Sequence, residues 1–502
     1  MTGNAAQRLR AASPDDADTL YAAGVTAVKD GLEDEALPIL QAAAKRHPAD
    51  SRLWQVLGLA HRRREELEPA VAAFEKAASL APRDALIAHS LARSRLEGGL
   101  SAIDGFERAR ALAPDNEWVV LGLAAARFAE GRIDEAIADL ESRIAQVPLW
   151  LPGHASLSRL RWLGGERETF AASFETAVAA APGDVTIWRE WADTLMHAGR
   201  DEEALALVAR GRAAAGPNMV FDALETVAVA ETGDIAAADR LFAALGPIEH
   251  VTMAARYMRH LLRAGRPAEA AGFGERWLGN EQAEFVWPYM SAAWRLTGDP
   301  RWQLLEGDER LVGIYDIGDS IPPLDSLAHR LRGLHQAVGQ PLDQSVRGGT
   351  QTDGSLFSRI EPEIRALRAG IVAAVERHAA QLPPPRRGHP TLIAKRAPIR
   401  FAGSWSVRLA GAGFHSNHVH PAGWISSAFY VALPESIGAG EQGWLMLGEP
   451  QAELGLDLPP VRKIEPKPGR LVLFPSTMWH GTRPFAEGER LTVAFDVARP
   501  AQ

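Results

Sequence analysis

Prolines punctuate the first half of the chain at Pro48, Pro82, Pro114, Pro148, Pro182 and Pro217, at intervals of 34, 32, 34, 34 and 35 residues. Glycines at Gly131, Gly165, Gly199, Gly233, Gly265 and Gly298 follow the same period, 32 to 34 residues apart. A fixed period of this length marks a repeat architecture, and two punctuation marks per period imply two helices per repeat. A single helix hairpin cannot bury its apolar face alone. Stacked neighbours can, and the array they build has an inner wall that offers an extended groove.

The residues inside each period sharpen this reading. In the second repeat Trp54, Gly58, Ala70, Phe74 and Ala77 precede Pro82. The first repeat has Leu20, Gly24, Ala36 and Ala43 before Pro48, and the third has Ala102, Phe106 and Ala109 before Pro114. This pattern of small residues, where two helices must approach closely, resembles the tetratricopeptide repeat family. The resemblance implies an all-α solenoid of about eight repeats over residues 15–300, with a groove that holds a protein or peptide segment. Phe170 stands where a small residue is usual, and beyond Gly233 the match rests on the glycine spacing. The alternative role for such an array is to scaffold or dimerise a second domain.

Composition narrows the remaining possibilities. With 46% hydrophobic and 23% charged residues, the chain has the balance of a globular protein rather than a disordered one. A net charge of -9 lacks the basic excess that binding a phosphate backbone requires, so no nucleic-acid partner is expected. There is no cysteine, which excludes disulfides, thiolate metal sites and thiol nucleophiles. A bound metal would have to sit on carboxylate, water or some of the 15 histidines. No apolar run has membrane-spanning or signal-peptide length, so a cytoplasmic protein with no membrane association is expected. The preference for Arg over Lys and the abundance of Ala are associated with bacterial chains of high-GC coding. Oligomeric state is not legible.

After about Leu311 the period stops, and segments such as GDSIPPLD and QLPPPRRGHP replace it. The expected division is a linker over 301–330 and a second domain over 331–502. One amphipathic helix is expected across Ser358 to Gln381, ended by the proline run at Pro383 to Pro385. From Gly403 the chain reads as short strands, SWSVRL, WISSAFYVAL, GWLMLG, RLVLFP and RLTVAFDV, separated by Gly- and Pro-bearing turns. Such a series predicts an antiparallel barrel or jelly roll whose mouth suits a small cofactor. The fold class expected for the whole chain is therefore α + β and multidomain, an all-α solenoid followed by a jelly roll. The glycines of GGTQT, Gly348 to Thr352, predict a loop on the substrate side.

The phrase FHSNHVHP places His415, His418 and His420 within six residues. In extended backbone His418 and His420 point the same way, about 7 Å apart, close enough to chelate one ion. His480, at the end of LVLFPSTMWH, is the candidate third ligand; a lone histidine there would more often be structural, but the upstream pair changes that weighting. In another register His415 and Asn417 hold the metal and the later pair supports them.

This constellation resembles the double-stranded β-helix oxygenases, in which HxD or HxE on one strand and a distal histidine hold iron. In that superfamily an arginine about ten residues after the distal histidine, often followed two residues later by a hydroxyl residue, binds the far carboxylate of 2-oxoglutarate. Arg490 and Thr492 occupy those places here. A guanidinium fork matches a carboxylate in two hydrogen bonds. More narrowly, GGTQTDG, SWSVRL, GFHSNHVHPAGWISSAFYV and PGRLVLFPSTMWHGTRPF resemble a 2-oxoglutarate oxygenase family often fused to tetratricopeptide repeats in bacteria, over about the last 180 residues. The resemblance implies Fe(II) and 2-oxoglutarate as cofactors and a hydroxylase-type dioxygenase reaction that yields succinate, carbon dioxide and a hydroxylated protein or peptide. One departure stands out: His420 occupies the position of the triad carboxylate, so the expected ligands are three neutral imidazoles, His418, His420 and His480.

Tyr430 and Ser427, on the strand after the histidine cluster, face either the oxoacid or the core. Trp405, Trp424, Trp444 and Trp479 are expected to fill the barrel, and Arg408 to end a strand in solvent. Two other functions fit the same residues: a three-histidine cupin-type dioxygenase that needs no oxoacid, and a non-catalytic tetratricopeptide adaptor. Arg490 argues against the first, and the joint presence of His480 and Arg490 against the second.

Overall fold

The computed structural model describes residues 3–500 except Asp343, Ser436 and Gly438. Its N-terminal region is helical and its C-terminal domain is an antiparallel β structure. The chain divides into two compact units, residues 1–143 with 354–365, and residues 144–353 with 366–502. This differs from a division near residue 300, because the later helices belong with the β domain.

In the first unit the helices alternate at the expected period, as in Ala17–Lys29 with Glu33–Arg46, Ser51–Arg63 with Leu67–Leu80, and Ala85–Glu97 with Ile103–Leu112. Each period begins with a capped helix. Asp50, Asp84 and Asn116, two residues after Pro48, Pro82 and Pro114, accept hydrogen bonds from the first free backbone N–H groups of the helices that follow. The small residues are where helices touch. A Cβ on Gly122 would lie 2.1 Å from the ring of the wholly buried Phe106, and one on Gly58 would lie 2.9 Å from that of Phe74. The periodic glycines turn the chain between paired helices with positive φ: Gly31, Gly99, Gly131, Gly165, Gly199, Gly233, Gly265 and Gly298 all lie between 70° and 95°. Glu65 holds the same place in the second repeat with φ 60°.

The second unit carries the later repeats and the β domain. Phe170 has a visible effect here. It is fully buried, edge-on to Trp162 at 5.1 Å, and the helix expected around it begins only at Phe174, running to Ala180. An aromatic ring at a close-approach position displaces the first turn of its helix.

The β domain has nine strands among the described residues: β1 (Gly313–Asp316), β2 (Val346–Gln351), β3 (Phe401–His415), β4 (Gly423–Ala432), β5 (Leu445–Leu447), β6 (Arg462–Ile464), β7 (Arg470–Pro475), β8 (His480–Thr482) and β9 (Arg490–Ala498). Six form an antiparallel sheet in the order β1-β7-β4-β9-β3-β2, and three form a second in the order β6-β5-β8. Tyr430, Val472 and Phe474 of the larger sheet pack with Leu445, Leu447 and Ile464 of the smaller one. The five strand segments read from sequence lie in β3, β4, β5, β7 and β9. The segment 301–330 is not simply a connector, since it supplies β1, paired with β7, and the helix Leu324–Arg332. GGTQT is not a free loop: Gly349, Thr350 and Gln351 pair with Leu409, Arg408 and Val407 of β3, after an irregularity at Gly348, whose φ is +69°. The helix expected from Ser358 begins at Pro362. No helix of the described residues is long and apolar enough to cross a membrane.

Within this unit the last repeat helices grip the small sheet. Trp479 is 2% exposed, its indole Nε1 donates to the Pro288 carbonyl at 3.0 Å, and its ring meets Tyr289 edge-on at 5.7 Å. Arg295, on the helix Trp287–Thr297, donates to the carbonyls of Gly448 and Pro459.

Two stability measurements check this account. Gly199→Ala lowers stability by ~1–2 kcal/mol, because a Cβ there meets nothing within 4 Å and only the left-handed backbone opposes it. Gly183→Ala, in equally open space without a positive φ, changes stability by less than ~0.5 kcal/mol in the same denaturant titration. Trp479→Ala costs ~3–5 kcal/mol in the unfolding transition of the β domain; a loss below ~1 kcal/mol would show that the indole does not tie the helices to the sheet.

Candidate metal centre

Two stretches of backbone bring the histidines together. His418 and His480 face each other across an isolated antiparallel bridge, His418 N donating to His480 O at 2.9 Å and His480 N to His418 O at 3.0 Å. Two residues on, His420 N donates to the Ser476 carbonyl at 2.9 Å, which keeps the second histidine on the same side. The ring centroids of His418, His420 and His480 are 4.1 to 5.0 Å apart, and one ligand nitrogen from each lies within 4.8 Å of the others.

Hydrogen bonds at the far side of each ring decide which nitrogen is offered. His418 Nδ1 lies 2.8 Å from the Ser416 carbonyl and His480 Nδ1 lies 3.0 Å from the Met478 carbonyl. His420 Nδ1 lies 2.6 Å from Asp496 Oδ2. Carbonyl and carboxylate oxygens only accept, so each Nδ1 carries the hydrogen and each Nε2 presents a lone pair. Burial, and then the neighbouring imidazoles, hold His418 and His480 well below the usual histidine range. Neutral imidazole is the form that binds a metal.

His415 lies one ring further out. Its centroid is 6.1 Å from that of His418, and its Nδ1 shares the Ser345 hydroxyl, 3.1 Å away, with His418 Nε2 at 3.2 Å. Desolvation pushes His415 down to about 3. Among the described residues it is not part of the three-nitrogen cluster, and Asn417, its partner in the other register, donates instead to the Pro450 carbonyl.

The imidazoles line a pocket of about 40 Å³, with Trp405, Leu445 and Phe474 also in its wall. From β9 the pocket takes Arg490, Thr492 and Ala494, alternate residues on one face of the strand. Arg490 is 2% exposed. Its Nη1 donates to the Gly443 carbonyl at 3.1 Å, its Nε has no partner, and its guanidinium lies 5.2 Å from the centre of the Tyr430 ring. Among the described residues no carboxylate pairs with it, and burial pulls its pKa down. A buried guanidinium without a counter-ion is costly, and an anionic ligand in the pocket would remove that cost.

Tyr430 is wholly buried and does not line the pocket. It backs Arg490 with its ring, and its hydroxyl, unpartnered, is pushed up by burial. Ser427 does line the pocket, but its hydroxyl donates to the Phe495 carbonyl and accepts from Phe495 N, a strand-to-strand clasp. Trp405 forms part of the wall, 5.6 Å from His420, whereas Trp424 and Trp479 are core and Arg408 pairs with Glu489 at the surface. Gln351, from the GGTQT segment expected on the substrate side, lines the pocket, whereas sequence reasoning missed Ser345 and Asp496. The signal for Asp496 was available, because it stands six residues after Arg490 on a regular strand and so shares its face.

Comparison with known proteins agrees with both halves. A family model described as "Putative 2OG-Fe(II) oxygenase" matches residues 403–496, and one described as "Tetratricopeptide repeat" matches residues 51–84. No curated protein matches the chain. Among solved structures, a tetratricopeptide repeat protein from Parabacteroides merdae is 19% identical, with 47% of this chain and 95% of that chain covered at a TM-score of 0.31. The MamA protein is 21% identical, with 32% of this chain and 91% of that one covered at a TM-score of 0.29. The Cut9-Hcn1 assembly of the APC/C is 16% identical over 45% of each chain, at a TM-score of 0.31. Residues 51–84 of the helical region thus match the tetratricopeptide repeat model, and residues 403–496 of the C-terminal β domain match the model described as "Putative 2OG-Fe(II) oxygenase".

Proposed function

We propose that the protein is a cytoplasmic Fe(II)- and 2-oxoglutarate-dependent oxygenase that hydroxylates a protein or peptide side chain held by the groove of its repeats. The observation that carries this reading is the coexistence, in one pocket, of three convergent Nε2 lone pairs and a buried guanidinium with no counter-ion. The donor set suits a divalent transition metal, and the unpaired guanidinium suits a carboxylate of an oxoacid. Bound together, iron and 2-oxoglutarate supply the activation of dioxygen and the oxidising power for a C–H bond.

The chain's own residues have distinct tasks in this reading. His418, His420 and His480 hold the metal. Arg490 anchors the far carboxylate of the oxoacid, Tyr430 keeps the guanidinium in place from behind, and Thr492 adds a hydroxyl from the same strand face. Phe474, 4.7 Å from His480, and Leu445 form an apolar wall that limits water around the metal. A three-histidine donor set also serves dioxygenases that use no oxoacid, but those have no need of a buried, unpaired arginine in the same pocket.

Anaerobic titration with Fe(II) and 2-oxoglutarate tests the assignment. The expected result is a visible charge-transfer band that requires both additions, disappears in His480→Ala, and in Arg490→Met needs on the order of 100-fold more 2-oxoglutarate. Iron uptake with no band would favour a dioxygenase independent of oxoacid, and no iron uptake would leave the domain as a binding module.

A further inference from the structure

The three imidazoles are not supported alike. His418 and His480 each donate Nδ1–H to a carbonyl two residues earlier in their own backbone, a neutral acceptor. His420 donates to Asp496, a carboxylate 76 residues away on β9. That carboxylate is itself fixed. Its other oxygen accepts from the Ser426 hydroxyl at 2.5 Å, and Ser426 sits opposite Asp496 in the register of β4 and β9. Ser476 lies 2.9 Å from the same hydroxyl. Gly423 closes the remaining space, for a Cβ there would lie 2.5 Å from Ser476 Oγ and 3.2 Å from Asp496 Cβ. The Asp496 side chain is 12% exposed.

His420 is also the residue that stands where a triad carboxylate is expected. Resting on the iron reading above, we propose that Asp496 is a positioning residue that locks His420 as the Nδ1–H tautomer and returns, one shell behind the metal, the negative charge that the ligand set lacks. A divalent metal on three neutral imidazoles carries two formal positive charges; with Asp496 the group carries one, as it would with two imidazoles and a carboxylate. A carboxylate hydrogen-bonded to a ligating histidine fixes the ring and raises its basicity. The pocket face of β9 then has two electrostatic functions, a cation at Arg490 for the oxoacid and an anion at Asp496 for the metal.

The test separates this claim from the iron assignment. In metal-free protein labelled with ¹⁵N-histidine, with His420→Gln used for assignment, the His420 ring should report the Nδ1–H tautomer. Asp496→Asn, whose amide can donate to Nδ1, should move it toward the Nε2–H form. In chelator competition with Co(II), Asp496→Asn should bind roughly 10- to 100-fold more weakly than the parent, with the metal-free melting temperature retained. An Nε2–H tautomer in the parent, or an unchanged tautomer and Co(II) affinity in Asp496→Asn, would overturn the proposal. Should Asp496→Asn fail to fold, Ser426→Ala carries the test: it should weaken Co(II) binding several-fold, and no change would count against the proposal. If the parent shows the expected tautomer yet takes up no Co(II), the iron reading falls while the positioning role stands.

Discussion

Three imidazole rings with centroids within 5.0 Å of one another can turn three lone pairs toward one point only if none of them directs a hydrogen into the space between. The structure meets this condition from outside. Each Nδ1–H is drawn to an acceptor on the far side of its ring, and three Nε2 lone pairs are left converging. Lone pairs so crowded repel one another and have lost part of their contact with water. The Ser345 hydroxyl can satisfy one of them, at 3.2 Å from His418 Nε2, and a cation would satisfy all three. The surrounding architecture serves to keep the rings in this arrangement.

The sheets do so through backbone pairing, and the helices through packing. The bridge between His418 and His480 fixes the separation of two of the imidazole-bearing residues independently of any side chain. Trp479, one residue before His480, points the other way, because neighbouring residues on a strand face opposite sides, and is buried among the helices that end the repeat region within the same unit. The repeat helices thereby reach the imidazole cluster by one peptide unit. Preorganised ligands need a rigid support of this kind, since ångström-scale displacement of a donor is enough to lose a coordination geometry.

Much of this was legible in the sequence, for identifiable reasons. The 34-residue period could be read because each turn needs a residue tolerant of positive φ and each helix contact a small one. Those demands recur visibly at Gly131, Gly165 and Gly199 and at Gly58 and Gly122. Five strands were visible because β3, β4, β7 and β9 lie in the interior of the larger sheet and carry apolar runs, and the three-residue β5 lies at the centre of the smaller. The edge strands β1 and β2 were not, since GIYD and VRGGTQ lack such runs and owe their form to a partner strand. The histidines could be chosen by spacing, whereas Ser345 and Asp496 are brought to them only by tertiary folding. Tyr430 shows the limit of strand alternation: knowing that a side chain points inward does not tell whether it meets a ligand or supports the residue that does.

On the proposed reading, the placement of Asp496 bears on how a site with a histidine in place of a carboxylate would keep its charge. A carboxylate bound directly to a metal gives its charge at one bond's distance; moved behind an imidazole, it gives the same charge through a hydrogen bond and leaves the metal a softer donor. The exchange requires that the displaced anion be held where burial does not neutralise it. Asp496 has the means, with one oxygen bonded to Ser426 of the sheet that also presents Arg490 and the other to His420 in the connection between β3 and β4. Opposite charges at the two ends of one strand face, Arg490 and Asp496, would each be expensive to bury alone. Asp496 has two hydrogen-bond donors, Ser426 and the neutral His420 ring, whereas the Arg490 guanidinium has only the Gly443 carbonyl, which directs an anionic ligand to its part of the pocket.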